Sequence, residues 1–246
     1  MTAVPSHELN AFGQPLGPEV PDWQGAAHPE RVTLEGRFCR VEPLDVARHG
    51  AALRAAMRLP GAERNWTYML AGPFAGDDDY LDWLAQMARG RDPLFFAIVD
   101  SNSGDAVGVA SYLRIDVVNG VTEVGHLNFS PHLQRVPAAT EAMYLLMKHA
   151  FALGYRRYEW KCHALNQPSR DAALRLGFRF EGVFRQAMVV KGRSRDTAWF
   201  SIIDGEWPTC AAAFERWLAA DNFDSAGRQR HSLAALRAEL TDREPR

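Results

Sequence analysis

The chain has 246 residues, with 28 Lys plus Arg against 30 Asp plus Glu, a net charge of −2 and 47% hydrophobic residues. That balance suits a globular protein with a full core and excludes the basic surface on which general nucleic-acid binding rests. No apolar run is long enough for a membrane span, the first ten residues lack a secretory pattern, and Cys39, Cys162 and Cys210 lack metal-ligand spacing. The expectation is a cytoplasmic protein with reduced core thiols and no metal, membrane or nucleic-acid partner.

Residues 1–30 are rich in Gly and Pro, and Phe12 and Trp23 suggest an extension packed on the domain. Residues 32–43 predict a hairpin or strand turning at Glu35-Gly36. Helices are predicted over 45–59, with Asp45 as N-cap, and over 77–89, capped by Asp77-Asp78-Asp79 and ended by Gly90. The apolar run 94–100 reads as a buried strand, and 106–116 returns as its hairpin partner.

A strand over 121–129 then leads through a short turn into a helix over 140–153, with Gly154 at its C-terminal end. A strand entering a helix in this way leaves several N–H groups pointing one way, a ready site for phosphate. A strand at 157–162 and a short helix at 169–176, closed by Gly177, repeat the plan. Residues 183–190 and 197–203 form a last hairpin across a turn from Lys191 to Asp196, and two helical pieces follow, near 209–220 and 231–240. The order implies an α/β fold with a mixed central sheet and no Rossmann glycine fingerprint. The domain expectation is an extension at 1–30, one domain over 31–208 and a helical extension at 209–246.

On these residues the chain resembles the GNAT superfamily of acyl-CoA N-acyltransferases. The loop Gln134-Arg135-Val136-Pro137-Ala138-Ala139 keeps the first and last positions of the family loop and has proline where the family has glycine. Thr140-Glu141-Ala142, then Asn166, Ser169, Gly177 and Phe178, then Glu181-Gly182, and Asp196-Thr197 through Trp207-Pro208, are similar to the branch of the RimJ/RimL-like ribosomal-protein N-terminal acetyltransferases.

The resemblance implies a mostly antiparallel sheet flanked by helices, splayed at its centre, with acetyl-CoA as acyl donor. It implies a small-molecule amine or a protein N-terminus as acceptor. Backbone groups of Asn128, Phe129 and Ser130 would meet the pantetheine arm, and the loop from Gln134 to Thr140 would hold the pyrophosphate. Pro137 lacks an N–H, and one lost bond to a charged group costs about 1.5–3 kcal/mol unless replaced; proline at a helix start offsets part of that.

Asn166 is expected either to cap its helix or to bind the cofactor arm, and Ser169 either to fill a helical turn or to serve as the catalytic acid. The position where many members carry tyrosine is Ala173 here. Glu123 and His126 are the candidate bases; three apart on a regular strand, they would point to opposite faces. Glu141 is expected to complement its helix dipole. Arg193, Arg195 and Asp196 are placed in the hairpin turn, where they either meet a charged acceptor or are simply solvated.

Trp66, Tyr68, Phe74, Tyr80 and Trp83 line the acceptor cleft or, by default, fill a core. A detoxifying acetyltransferase, a CoA-binding module without turnover and a protein keeping only the fold are the alternatives. A homodimer stays open, since the C-terminal helices could dock on their own domain or on a partner.

Overall fold

A computed structural model describes residues 8–242; residues 1–7 and 243–246, including part of the N-terminal segment considered above, lie outside the described residues. Eight strands form one sheet: β1 (Leu34–Glu35), β2 (Cys39–Pro43), β3 (Leu94–Asp100), β4 (Ala106–Asp116), β5 (Val121–Phe129), β6 (Arg157–His163), β7 (Arg179–Val190) and β8 (Arg193–Ile203). Their order across the sheet is β1-β2-β3-β4-β5-β6-β8-β7. Only β5 and β6 pair in parallel, because the intervening helix carries the chain back across the sheet.

The apolar run of β3 is buried on both faces. Leu94, Phe96 and Ile98 enter one core, and Phe95, Ala97 and Val99 enter the other, as the two-residue period of a strand requires. Helices α1 (Val46–Ala56) and α2 (Asp77–Arg89) cover the second core. Asp45 caps α1 by accepting from the amides of Ala47 and Arg48. The α2 cap differs from expectation: Gly76 is the cap residue, and Asp79 reaches back to its amide at 3.1 Å. Trp66, Phe74, Tyr80 and Trp83 fill this core as a cluster of tilted and edge-on rings.

The first core lies under α3 (Pro137–Ala152), α4 (Gln167–Leu176), α5 (Trp207–Leu218) and α6 (Leu233–Thr241). Tyr144 and Phe151 of α3 stack on Trp207 of α5, and Tyr144 donates to Glu215 at 2.8 Å. Leu233 and Leu236 of α6 are buried in the same core, so the C-terminal helices dock on their own chain. Near the other end, the Trp23 indole donates to the Val118 carbonyl at 2.8 Å, while Phe12 stays exposed.

Three local expectations change. Helix α3 starts at Pro137, three residues before the expected Thr140, because proline's fixed φ suits the first helical position. The β7–β8 turn is tight at Lys191-Gly192, so Arg193, Arg195 and Asp196 lie on β8. Glu141 does not serve its own helix terminus. Its buried carboxylate accepts from the amides of Arg37, Phe38 and Cys39 at 2.8, 2.6 and 2.9 Å, tying the β1–β2 turn to α3. Gly36 makes room for it: a Cβ there would lie 2.5 Å from that carboxylate.

Glu141→Ala leaves three amides without their charged acceptor and is expected to cost about 2–4 kcal/mol in urea unfolding. A loss below about 0.5 kcal/mol would show that water replaces the carboxylate freely.

Candidate active site

Strands β5 and β6 run paired from Val121/Arg157 to Val124/Trp160 and then part. Beyond that point β6 continues against β8, with Lys161, Cys162 and His163 opposite Trp199, Ala198 and Thr197. The far half of β5 keeps only its β4 neighbour, and the opened gap forms a chamber of about 160 Å³.

A bulge sets what faces this chamber. Val109 to Ser111 on β4 spans the same ladder as Asn128 to Gly125 on β5, one residue more on β5, and His126 takes a left-handed φ of 50°. The extra residue cancels the alternation, so Glu123 and His126 line the same chamber. The expectation of opposite faces is thereby corrected. Asn166 and Ser169 line it from the start of α4, and Trp160 and Lys161 from β6.

Glu123 is buried and sits in a ladder of alternating charges. Lys161 Nζ lies 3.0 Å from Glu123 and 2.7 Å from Glu159; Arg114 approaches Glu123 from the other side at 3.6 Å. Lys161 also rests 3.6 Å above the Trp199 ring. Burial pushes the Glu123 carboxyl above its ordinary range, and Lys161 and then Arg114 pull it partly back. Such a carboxylate ionises nearer neutrality than a free one.

The His126 ring packs on Phe95, its Nδ1 pairs with Ser111 Oγ at 2.8 Å, and burial holds its pKa below the usual value. Ser169 Oγ accepts from the Trp160 indole at 3.1 Å. Asn166 caps α4 by accepting from the Ser169 amide, and so performs the local task while also bordering the chamber. Ala173 is fully buried, and no hydroxyl stands at its place.

The expected cofactor residues divide between two tasks. Asn128, Phe129, Ser130 and Gln134 are engaged with other protein groups, Gln134 at the surface. The Asn65 amide donates to Asn128 Oδ1 and to the Phe129 carbonyl at 2.7 and 2.8 Å, Gln134 donates to the same carbonyl at 2.8 Å, and the Ser130 amide bonds Val107. Asn128 Nδ2 and Ser130 Oγ are buried without a partner.

Arg135, Val136, Pro137, Ala139 and Thr140 instead border a second cavity of about 450 Å³ at the N-terminus of α3, while Ala138 is buried beneath. Arg135 adopts φ 61°, and the Arg135 and Val136 amides have no partner among the described residues. Two free amides before a helix N-terminus form an anion cradle that includes no contribution from Pro137. Arg175 of α4 reaches Thr140 Oγ1 at 2.9 Å and has no acidic partner among the described residues. Phe223 and Gln229, beyond α5, complete the wall. These features fit the phosphates of a CoA-type ligand.

The sequence reading missed Asn65, Lys161, Arg175 and the 223–229 wall. Lys161 had a signal: alternation with Glu159 along β6 opposite Glu123. The others come from distant segments and had none. Among the described residues no cluster could hold a metal, and no helix is long and apolar enough to cross a membrane.

The chain is similar to known acetyltransferases in sequence and fold. Residues 41–179 match the model of an acetyltransferase (GNAT) domain. A crystal structure of a GCN5-related N-acetyltransferase from Brucella melitensis is 49% identical with TM-score 0.87, covering 89% of this chain and 100% of that one. A probable GNAT-family acetyltransferase from Chromobacterium violaceum is 42% identical with TM-score 0.74, covering 79% and 98%. The ribosomal-protein-serine acetyltransferase of Escherichia coli is 32% identical over 104 residues, 42% of this chain and 58% of that protein. An uncharacterized N-acetyltransferase, p20, of Bacillus licheniformis is 30% identical over 113 residues, so the chain spans about six-tenths of either curated relative.

Three histidines, two of them on the chamber wall, give a stability test. Burial depresses His126, His149 and His163 below the usual imidazole value. Below about pH 6.5 the unfolded chain therefore binds more protons than the folded one. Stability is full above that pH and is lost as pH falls through the folded values. Thermal midpoints from pH 8 to pH 5 should decline below pH 6.5, less steeply for His126→Gln; equal slopes for both proteins would refute the buried-neutral assignment.

Proposed function

As the chain belongs to the GNAT acetyltransferase family, we propose that it is an acetyl-CoA-dependent N-acetyltransferase acting on a primary amine by direct attack. The observation carrying this reading is the chamber between β5 and β6, where a tuned carboxylate, a neutral imidazole and a serine hydroxyl face one space. When bound, acetyl-CoA supplies an activated thioester.

The Arg135 and Val136 amides, the Thr140 hydroxyl and the Arg175 guanidinium would hold its phosphates, with Ala139 bordering the cavity. Pro137 adds no bond but sets the first turn of α3. Asn166, on the chamber wall, is the side chain that would meet the pantetheine arm, while Asn128 and Ser130, fully buried, would support the strand behind it.

Glu123 takes up the proton of the incoming ammonium, with Lys161 fixing its carboxylate and preventing it from becoming too basic. His126, neutral and bonded to Ser111, is the alternative acceptor. Ser169 Oγ, positioned by Trp160, gives a proton to the leaving sulfur. An α-amine titrates near ~8 and a lysine near ~10.4. A base of this strength suits an α-amine, at a protein N-terminus or on a small molecule. Similarity to a ribosomal-protein-serine acetyltransferase supports a protein acceptor. A non-catalytic CoA-binding role is the second reading, favoured by Pro137 and by the buried Ala173.

Isothermal titration should detect acetyl-CoA binding, and the absence of binding at high micromolar concentration would refute both readings. Thiol release with amine and N-terminal peptide panels separates them. Glu123→Gln should lower kcat by about 10²-fold or more. Ser169→Ala should likewise lower turnover more than it weakens acetyl-CoA binding, and the reverse would make Ser169 structural. Lys161→Met should move the acidic limb of kcat/KM to higher pH, since Lys161 holds the Glu123 pKa down; an unmoved limb would remove Glu123 as the base.

A further inference from the structure

The chamber opens outward. A basin of about 660 Å³ lies against it, and the two cavities share Tyr68, His163 and Arg195 as a neck. Tyr68 and His163 face each other with ring centroids 5.0 Å apart, and the Tyr68 hydroxyl donates to the Leu165 carbonyl at 3.4 Å. The basin's outer wall is the tip of the β7–β8 hairpin. Lys191 at that tip donates to the carbonyls of Trp66 and Ala71 at 2.7 and 3.3 Å, which pins the hairpin over the loop following the Ala62–Thr67 turn.

The charges on this wall are all of one sign. Lys191, Arg193 and Arg195 line the basin, and no carboxylate does. Lys191 spends its donors on neutral carbonyls, so its charge is not cancelled. Arg193 and Arg195 have no acidic partner among the described residues, and Arg195 Nε is buried without any hydrogen bond. The nearby acid, Asp196, turns its carboxylate to the Gln186 amide at 2.7 Å.

On the floor of the chamber, by contrast, the cations are neutralised: Arg114 and Lys161 by Glu123, and Arg157 by Glu159 and Glu181. In a chain of net charge −2, an uncompensated basic wall beside the entrance is a local arrangement and not a consequence of composition. A buried guanidinium N–H without a partner is unfavourable, and an anionic ligand supplies the missing acceptor. The single-sign wall also attracts such a ligand before contact.

We propose that the acceptor is an amine carrying an anionic group, a carboxylate or a phosphate, received by Lys191, Arg193 and Arg195 while its amine passes the Tyr68–His163 neck toward Glu123. This assignment rests on the acetyl-transfer reading above. The anion can belong to a small molecule or to an acidic residue following a peptide N-terminus. The basin's volume is within the ordinary range for small-ligand sites and accepts either.

Matched acceptors test it: O-phosphoethanolamine against ethanolamine, and the peptides Ser-Glu-Glu-Ala against Ser-Gln-Gln-Ala. Thiol release should favour the anionic member of at least one pair by about tenfold or more in kcat/KM at low salt, and which pair responds identifies the source. The preference should fall to about threefold or less in Arg193→Gln/Arg195→Gln and return in Arg193→Lys/Arg195→Lys.

Equilibrium titration of the same pairs into the CoA-loaded protein reads the preference without turnover. No preference in either assay, or one that survives the double glutamine variant, overturns the proposal. Neutral amines acetylated as readily as anionic ones would leave the transfer reading intact and sink only this inference. Anionic ligands bound selectively with no thiol release from any acceptor would uphold the basin and sink the transfer reading.

Discussion

The parting of β5 from β6 is the constraint on which the rest of the site depends. A parallel pair needs evenly spaced, slanted hydrogen bonds, and a bulge destroys that spacing. The bulge at His126 twists β5 away just after Val124, while β6 is held in full register by β8. One strand is turned and the other is fixed, so a gap opens at the middle of a sheet that would otherwise be continuous. The gap is the chamber, the turned strand delivers both Glu123 and His126 to it, and the same turn aims the following loop at the start of α3.

The charge distribution follows from depth. At the floor, Arg114 of β4, Glu123 of β5, Lys161, Glu159 and Arg157 of β6 and Glu181 of β7 form a chain of ion pairs of alternating sign. Each buried member has two opposite charges beside it, so no single loss strands one in the interior, where an unpaired charge is far costlier than a broken surface pair. The floor is therefore stiff, and the ionisation of Glu123 is a property of the ladder. At the rim the basic groups of the β7–β8 hairpin are uncompensated: solvent stabilises the exposed Lys191 and Arg193, while Arg195 keeps a buried Nε without a hydrogen bond. Nearly neutral below and cationic above, the cleft has a gradient along the route an acceptor would take.

The loop before α3 solves a local problem differently from the family pattern. Proline removes one amide but starts the helix three residues earlier than the apolar periodicity indicates. Arg135 takes up the left-handed conformation, leaving its own amide and that of Val136 free. Arg175 and the segment around Phe223 and Gln229 then close the cradle from α4 and from beyond α5. Segments that looked like appendages contribute to the cradle wall. Their apolar side chains also share the main core with the sheet.

Much of the fold was legible because local physics repeats along the chain. The unbroken apolar run of β3, the turn after it that returns β4, the Asp45 cap and Gly154 and Gly177 each announce an element within a few positions. The motifs Gln134–Thr140 and Asn166–Phe178 announce the family for the same reason: the groups that matter are close in sequence. What sequence could not carry was every feature set by contacts between distant segments. Alternation assigns Glu123 and His126 to opposite faces, and only the β4 ladder reveals the bulge that unites them. Glu141 looks like a helix-terminus charge until the β1–β2 amides arrive from a hundred residues away. The sequence by itself determined the elements, their order and the family chemistry, since these follow from neighbours along the chain. Tertiary structure alone decided which side chains share the cleft and which charges remain unpaired, since burial and ion pairing depend on what the folded chain brings into contact.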